Sequence, residues 1–270
     1  SNNRSEIQYV HGEKMKKLTL LSVVALGTIA LVEVAKVDGD TKTTDGIIKM
    51  QPGGNTDVLP KDPGTDVDTA IDPKDPKYPD PVPLPGDPDE NHVVKEGDLA
   101  FTKNPKVFNF GTQDVSAKIQ AQAFYTVKAL NQDTDANKTP FVGGIQTLQV
   151  YDGRPASSNL DNWQVVVKAS TFTEASTSKT LAGATIHLNG AKTYLRDKSG
   201  EVKVTPKIDI ATDNLTTSTV FGVEQGKQAK QHTDLSWNAA DVELEMAGSQ
   251  AKVGTFESVV TWTLTDAAFK

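Results

Sequence analysis

Ser258-Val259-Val260-Thr261-Trp262-Thr263-Leu264-Thr265-Asp266 is rich in Val, Thr and Trp and contains neither glycine nor proline. These residue types favour a half-buried β-strand. Successive side chains in a strand point to opposite faces, so Val260, Trp262 and Leu264 share an apolar face and the intervening threonines form a hydroxyl ladder. The stretch therefore predicts an amphipathic strand with a tryptophan on its apolar side.

A second tryptophan strand is predicted at Asn162-Trp163-Gln164-Val165-Val166-Val167. Here Trp163, Val165 and Val167 fall on one face. The two strands have the same pattern, so we expect the fold to bring both into one β-sandwich.

The chain from Gly97 onward has the texture of an all-β domain, in which short apolar or alternating runs are separated by Gly, Asn and Asp turns. No stretch keeps a helical period over three turns. Residues 97–270 are predicted to form a single antiparallel β-sandwich of the Ig-like or Greek-key type. Strands are expected near residues 106–110, 119–130, 145–151, 163–171, 184–188, 193–195, 201–210, 219–223, 235–237, 242–246 and 258–265.

Two local signals refine this strand pattern. Asn189-Gly190 lies between two strand runs, and both residues tolerate positive φ, so the pair predicts a β-hairpin. Pro206 interrupts the alternating run 201–210 and predicts an edge or a bulge there, because proline donates no ladder hydrogen bond.

The N-terminal part of the chain has the form of a leader. Met15-Lys16-Lys17 precedes an apolar run from Leu18 to Val32, which is typical of a secretory signal peptide and short for a membrane span. We assign residues 15–35 to a signal peptide and residues 1–14 to an upstream extension or tag. A retained membrane anchor is the alternative, because the cleavage region is poor.

Residues 36–96 change character. Ten of the fourteen prolines lie here, interleaved with aspartates, and large apolar residues are sparse. Such a segment buries too little surface to offset its ordering entropy, so we predict a disordered, acidic Asp/Pro-rich linker. The alternative is calcium binding through the aspartates of this segment, although their spacing does not match an EF-hand loop. Those aspartates are Asp57, Asp62, Asp66 and Asp68.

Composition argues against several functions. The 270 residues carry a net charge of −7, which disfavours nucleic acid as a partner. There is no cysteine, and the four histidines lie far apart in sequence, so neither a metal site nor a cofactor is predicted. No catalytic motif emerges, and an enzyme is not expected. A glycosidase-type carboxylate pair stays open as an alternative. Its candidates are Asp152, Asp161, Glu174, Asp209 and Asp241.

The ordered motifs of this chain resemble those of WxL-domain surface proteins of Gram-positive bacteria. Trp163-Gln164-Val165 and Trp262-Thr263-Leu264 are similar to the paired tryptophan motifs of that family. Val165 replaces the usual leucine and keeps a branched apolar side chain on the strand. The other matches, in family order, are Val107-Phe108-Asn109-Phe110-Gly111, Val150-Tyr151-Asp152-Gly153-Arg154, Leu181-Ala182-Gly183-Ala184, Leu235-Ser236-Trp237 and Asp241-Val242-Glu243-Leu244.

The resemblance implies a secreted, non-catalytic protein that attaches non-covalently to the cell wall, with peptidoglycan as the ligand. It also implies membrane-anchored WxL-interacting proteins as partners. A rival hypothesis is an adhesin or scaffold that binds another protein, including host matrix proteins, through an edge strand.

The tryptophans have two interpretations. Either Trp163 and Trp262 hold the core, or an exposed ring stacks on sugars while Asp152 and Arg154 supply hydrogen bonds. We expect Trp262, with apolar Val260 and Leu264 on its face, to be mainly core. Trp163 follows a polar loop, so ligand contact is expected nearer to it and to Val165. Asp152 and Arg154 can alternatively form a local ion pair that pins the turn.

Overall fold

The computed structural model describes residues 48, 54, 56–71, 80–82, 84, 87–131, 144–156 and 161–270. The predicted upstream extension and signal peptide lie outside these residues, as does most of the polar loop before Trp163. All architecture below belongs to the compact unit Met50–Lys270.

The described residues are predominantly β-structure, which confirms the predicted all-β, antiparallel class. One α-helix, α1 (Ala117–Gln120), and 3₁₀ turns at Ala239–Asp241 and Gly248–Gln250 accompany the strands. The strands are β1 (Asp57–Val58), β2 (Asp89–Asn91), β3 (Val94–Lys95), β4 (Leu99–Pro105), β5 (Tyr125–Lys128), β6 (Ile145–Asp152), β7 (Trp163–Ala169), β8 (Phe172–Thr173), β9 (Thr180–Leu181), β10 (Thr185–Leu188), β11 (Lys192–Leu195), β12 (Lys203–Val204), β13 (Ile208–Ala211), β14 (Ser218–Val223), β15 (Gln231–Asn238), β16 (Val242–Met246) and β17 (Val260–Thr265).

Three larger sheets surround one core. A five-stranded sheet has the order β11-β15-β6-β4-β2, and two four-stranded sheets have the orders β12-β14-β7-β17 and β13-β10-β16-β5. Two-stranded pairs β1-β3 and β8-β9 complete the described set. Leu148, Val165 and Ile186 come from the three larger sheets and belong to one buried apolar cluster, so the sheets share a single core.

Several local predictions differ from the structure. The strand expected at 106–110 lies earlier in the chain, as β4, which ends at Pro105. The strand expected at 119–130 begins instead with α1, and the Ser116 side chain caps this helix by accepting a hydrogen bond from Ile119 N. Asn189-Gly190 does not form a hairpin. It turns the chain from β10 in one sheet to β11 in another, and Gly190 provides the φ of 65°. The edge predicted at Pro206 is confirmed, because β12, which ends at Val204, and β13, which begins at Ile208, are edge strands of two different sheets.

Part of the predicted linker belongs to the fold. β2, at residues 89–91, pairs with β4 in the five-stranded sheet, so the sheet starts before the expected boundary at 97. Residues 56–69, which we call the strap, pair through β1 with β3 and make hydrogen bonds to the five-stranded sheet. The prediction considered only apolar burial as the source of order, whereas polar contacts to the main chain hold this segment.

Candidate functional site

The two tryptophan strands are neighbours in one sheet. β17 pairs antiparallel with β7, and Trp262 lies opposite Val167 while Leu264 lies opposite Val165. Directly opposed side chains project from the same face of a sheet. Trp163 is four residues from Val167, so both tryptophans project from the core-facing side of this sheet, at different places along it.

Trp163 is enclosed by other residues of the core. Its side chain and that of Val165 are fully buried. The indole ring meets Phe221 nearly edge-on, with centroids 5.2 Å apart, and its Nε1 donates to the Ala229 carbonyl at 3.5 Å. The expectation that ligand contact lies nearer Trp163 is therefore not supported by its position, since these two side chains are buried in the core.

Asp152 and Arg154 form an ion pair beside this tryptophan. The Arg154 guanidinium donates from Nε to Asp152 Oδ1 and from Nη2 to Oδ2, both at 3.0 Å, and also to the Asn162 carbonyl. Lys230 Nζ approaches Asp152 Oδ2 at 3.2 Å, and the Asp152 carboxylate has no exposed area. These contacts hold Asn162, the residue that precedes Trp163. This is the arrangement expected of a local ion pair that pins the turn, except that the Asp152 carboxylate is buried.

A pair of rings in tilted contact extends this buried region. The rings of Tyr151 and His232 lie opposite each other on β6 and β15, with centroids 4.9 Å apart. Burial, with further contributions from the Arg196 and Lys61 charges, lowers the pKa of His232 to about 4. We call this region, built from residues 151–154, 161–163 and 229–232, the closed end.

Trp262, on β17, lies near the end of β6 that is farther from the closed end. It is half-buried, and its ring is 6.4 Å from that of Trp237, at an interplanar angle of 35°. Trp237 is buried, and its Nε1 donates to Gln146 Oε1 at 3.1 Å. Leu264 is also half-buried and packs on the core. The structure thus supports a partial core role for Trp262 and leaves part of its ring exposed.

An aromatic groove opens beside Trp262. It has a volume of about 1100 Å³ and runs between β17, β5 and the irregular segment 106–115. Val107 and Val259, both exposed, add apolar surface to its lining. We call this region the open end. Its aromatic lining consists of Phe108, Phe110, Tyr125, Phe172, Phe256 and Trp262.

Polar groups are interleaved with these rings. The Gln113 amide donates to the Phe110 carbonyl at 2.9 Å and accepts from the Tyr125 hydroxyl at 3.4 Å. Lys106 Nζ donates to the carbonyls of Leu84 and Asp87, at 3.4 and 2.7 Å. A concave site with aromatic faces and a few fixed polar groups suits a ligand that has both apolar faces and hydroxyls.

A family model described as "WxL domain surface cell wall-binding" matches residues 37–267. The chain belongs to this family. The WxL match confirms the resemblance seen in the tryptophan motifs and places the protein among surface proteins that bind the cell wall. The match begins inside the predicted linker, in agreement with the strap and β2 being part of the fold. No curated protein and no solved structure matches the chain.

The two WxL motifs therefore occupy unequal positions. The first motif, at Trp163, is buried in the closed end, and the second, at Trp262, borders the groove of the open end. Sequence reasoning did not assign Phe108, Phe110 or Trp237 to a site, although their motifs were visible. The close spacing of Phe108 and Phe110 was the signal that could have revealed the groove.

Two further observations concern the described residues alone. None of their helices has the length and apolar character needed to cross a membrane. They also contain no cluster of three or more histidine or acidic side chains arranged to hold a metal ion.

Proposed function

We propose that this WxL domain attaches the protein to the wall non-covalently by binding a glycan of the wall, with peptidoglycan as the ligand, in the groove at the open end. The observation that carries the proposal is the position of Trp262, which is only partly buried, on an aromatic-lined groove. Sugar rings present C–H faces, which pack on aromatic faces, and hydroxyls, which pair with the polar groups between them.

Size and charge support a glycan strand. About 1100 Å³ slightly exceeds the ~300–1,000 Å³ of typical small-molecule pockets, as a short stretch of polysaccharide would require. The net charge of −7 disfavours phosphate-rich wall polymers, because like charges repel. A polymer with few phosphates is the better fit.

The proposal is for binding without catalysis. The five carboxylates considered for a glycosidase lie outside the groove lining, whose acidic residues are Glu90, Asp114 and Glu257. Asp152 is held in buried ion pairs with Arg154 and Lys230, and Asp209 lies 2.6 Å from His187 Nδ1 and 2.8 Å from Lys207 Nζ. These contacts give both carboxylates structural partners.

Sedimentation with purified cell-wall sacculi tests the proposal. The chain should co-sediment, and Trp262→Ala should weaken binding by about tenfold or more, as loss of a central aromatic anchor does. Leu264→Ala is the matched control, because Leu264 lies on the same face of the same strand but does not line the groove. A folded chain that stays in the supernatant, or equal binding by Trp262→Ala and wild type, would overturn the proposal. Released reducing sugar would refute the non-catalytic part.

A second candidate is strand pairing with a partner protein. β17 is an edge strand, paired only with β7 among the described strands, and it carries no charged residue. Edge strands of this kind are templates for an added strand. A membrane-anchored WxL-interacting protein or a host matrix protein would then be the ligand. Leu264→Pro removes an N–H that points away from β7, so in a chain shown to be folded it should abolish such pairing while sacculus binding persists.

A further inference from the structure

The strap is held on the five-stranded sheet by contacts to its main chain. The Gln149 side-chain amide brackets Lys61, since Oε1 accepts from Lys61 N at 2.8 Å and Nε2 donates to Lys61 O at 3.0 Å. Gln149 also donates to Asp234 Oδ1 at 2.7 Å and is fully buried. The Gln149 amide thus bonds to the main-chain N–H and carbonyl of Lys61, so these two bonds do not depend on the Lys61 side chain.

A buried ion pair continues this recognition. Arg196 Nη1 lies 2.8 Å from Asp234 Oδ1, with only 6% and 1% of the two side chains exposed. Arg196 also donates to the carbonyls of Thr65 and Asp62, at 2.8 and 3.1 Å, and Asp234 Oδ2 accepts from Gly64 N at 2.9 Å. Charged groups buried this deeply need all of these partners, so the site favours an occupant.

The occupant itself is weakly embedded. Among residues 60–69 only Pro60 and Thr69 are buried, and Val67 is 62% exposed. Among the described strands, β1 pairs only with β3, outside the three larger sheets. A segment with little apolar burial opens at a lower free energy than the core unfolds.

We propose that this site is a peptide-docking surface that also receives the strap of a second copy of the chain. Every contact to Lys61, Asp62, Gly64 and Thr65 above is made to the main chain, so the strap of another molecule satisfies the site identically. Ten residues, 70–79, separate the strap from Asp80, which pairs with His92, and a chain of ten residues spans at most about 35 Å. Reciprocal exchange gives a closed pair of molecules, and its extent depends on protein concentration.

Disulfide trapping in the full chain tests the exchange. The chain has no cysteine, so an introduced pair is unique. Asp57 lies directly opposite Lys95 in the antiparallel β1-β3 pair, where Cα atoms are about 4.5–5.5 Å apart and a disulfide closes without strain. Both side chains are substantially exposed, 42% and 51%, so their replacement is tolerated.

Equal amounts of an Asp57→Cys chain and a Lys95→Cys chain are mixed in a glutathione redox buffer. We expect at least about tenfold more mixed disulfide dimer than from Asp57→Cys with Leu215→Cys, which reports random collision at an 84%-exposed position. The double variant in a single chain should form an intramolecular disulfide, which verifies the geometry. Equal yields from the two mixtures would overturn the proposal.

Two further variants test that docking, rather than aggregation, produces the dimer. Gly64 has φ of 69°, and an added Cβ meets nothing within 4 Å, so Gly64→Ala strains the strap without touching the sheet. In the Asp57→Cys chain it should speed formation of the mixed dimer about fivefold, because a strap that docks more weakly opens more often. Arg196→Lys in the Lys95→Cys chain should also speed it, because lysine cannot reproduce the guanidinium fork that holds that chain's own strap. The final yield should not change, because each variant weakens the closed molecule and the exchanged pair alike. Circular dichroism must show both chains folded, and a rate unchanged by both variants would count against docking.

Discussion

The closed end and the open end place the same side-chain type in opposite environments. Trp163 and Trp262 project from the same face of one sheet, on adjacent strands, yet Trp163 is fully buried and Trp262 borders a groove. The strands themselves do not differ enough to explain this. What differs is the material packed against each ring, so exposure of a motif residue is a property of its surroundings.

Those surroundings can be named. At the closed end, β7 is a central strand between β14 and β17, and Phe221 and Ala229 cover the indole. At the open end, β17 is an edge strand, and the neighbouring segment 106–115 passes by without pairing as a strand, which leaves the groove. We therefore expect the first ring to serve stability and the second to be the one that contacts a ligand.

The largest expected effect is at Trp163. Trp163→Ala should lower the free energy of unfolding by about 3–5 kcal/mol, since it removes a buried aromatic side chain and leaves a cavity. Thermal and denaturant melts measure this. Trp163→Phe, which retains part of the packing, should lose less. A melt of Trp163→Ala close to that of wild type would mean that the closed end is not the stabilising one.

The next effect concerns the ion pair of the closed end. Asp152→Asn leaves the Arg154 and Lys230 cations without their buried carboxylate, and we expect a loss of about 2–3 kcal/mol in denaturant melts. Glu201→Gln, which breaks the exposed Lys227–Glu201 pair, is the control and should cost under about 1 kcal/mol. Similar losses for the two variants would contradict a buried pinning role.

The stability of the closed end should also depend on pH, through His232. The pKa of His232 is about 4 in the folded chain and 6.5 ordinarily, so the unfolded chain takes up the proton first as pH falls. Stability from this group is therefore present above pH 6.5 and is lost as pH falls from 6.5 toward 4. Between pH 7 and 4.5 wild type should lose about 2 kcal/mol more than His232→Gln in denaturant melts. Parallel pH profiles for the two proteins would refute this.

The smallest effect on stability is expected at the open end. Trp262→Ala removes a ring that is only half-buried, and should cost about 1–2 kcal/mol. Thermal melts of this variant beside Trp163→Ala measure the contrast directly. A loss as large as that at Trp163 would erase the distinction between the two ends and reduce Trp262 to a core residue.

The sequence predicted the positions of strands along the chain better than it predicted which strands pair with one another. The alternation of apolar side chains identified β7, β16 and β17, and Pro206 correctly indicated an edge, since β12 and β13 on either side of it are edge strands. The Asn189-Gly190 hairpin was wrong, because turn chemistry describes the bend and not the sheet that the next strand joins. The linker boundary was misplaced, because Gln149, Arg196 and Asp234, which hold the strap, lie 88 to 170 residues away from their partners in the chain.

The sequence by itself determined the all-β class, the apolar faces of the two tryptophan strands and the family. These depend on local alternation and on ordered motifs, which are readable from the chain alone. Only the tertiary structure decided which tryptophan is sealed, where the aromatic groove opens and that the strap is docked. Burial depends on atoms that distant segments bring against a residue, and no local pattern records which segments those are.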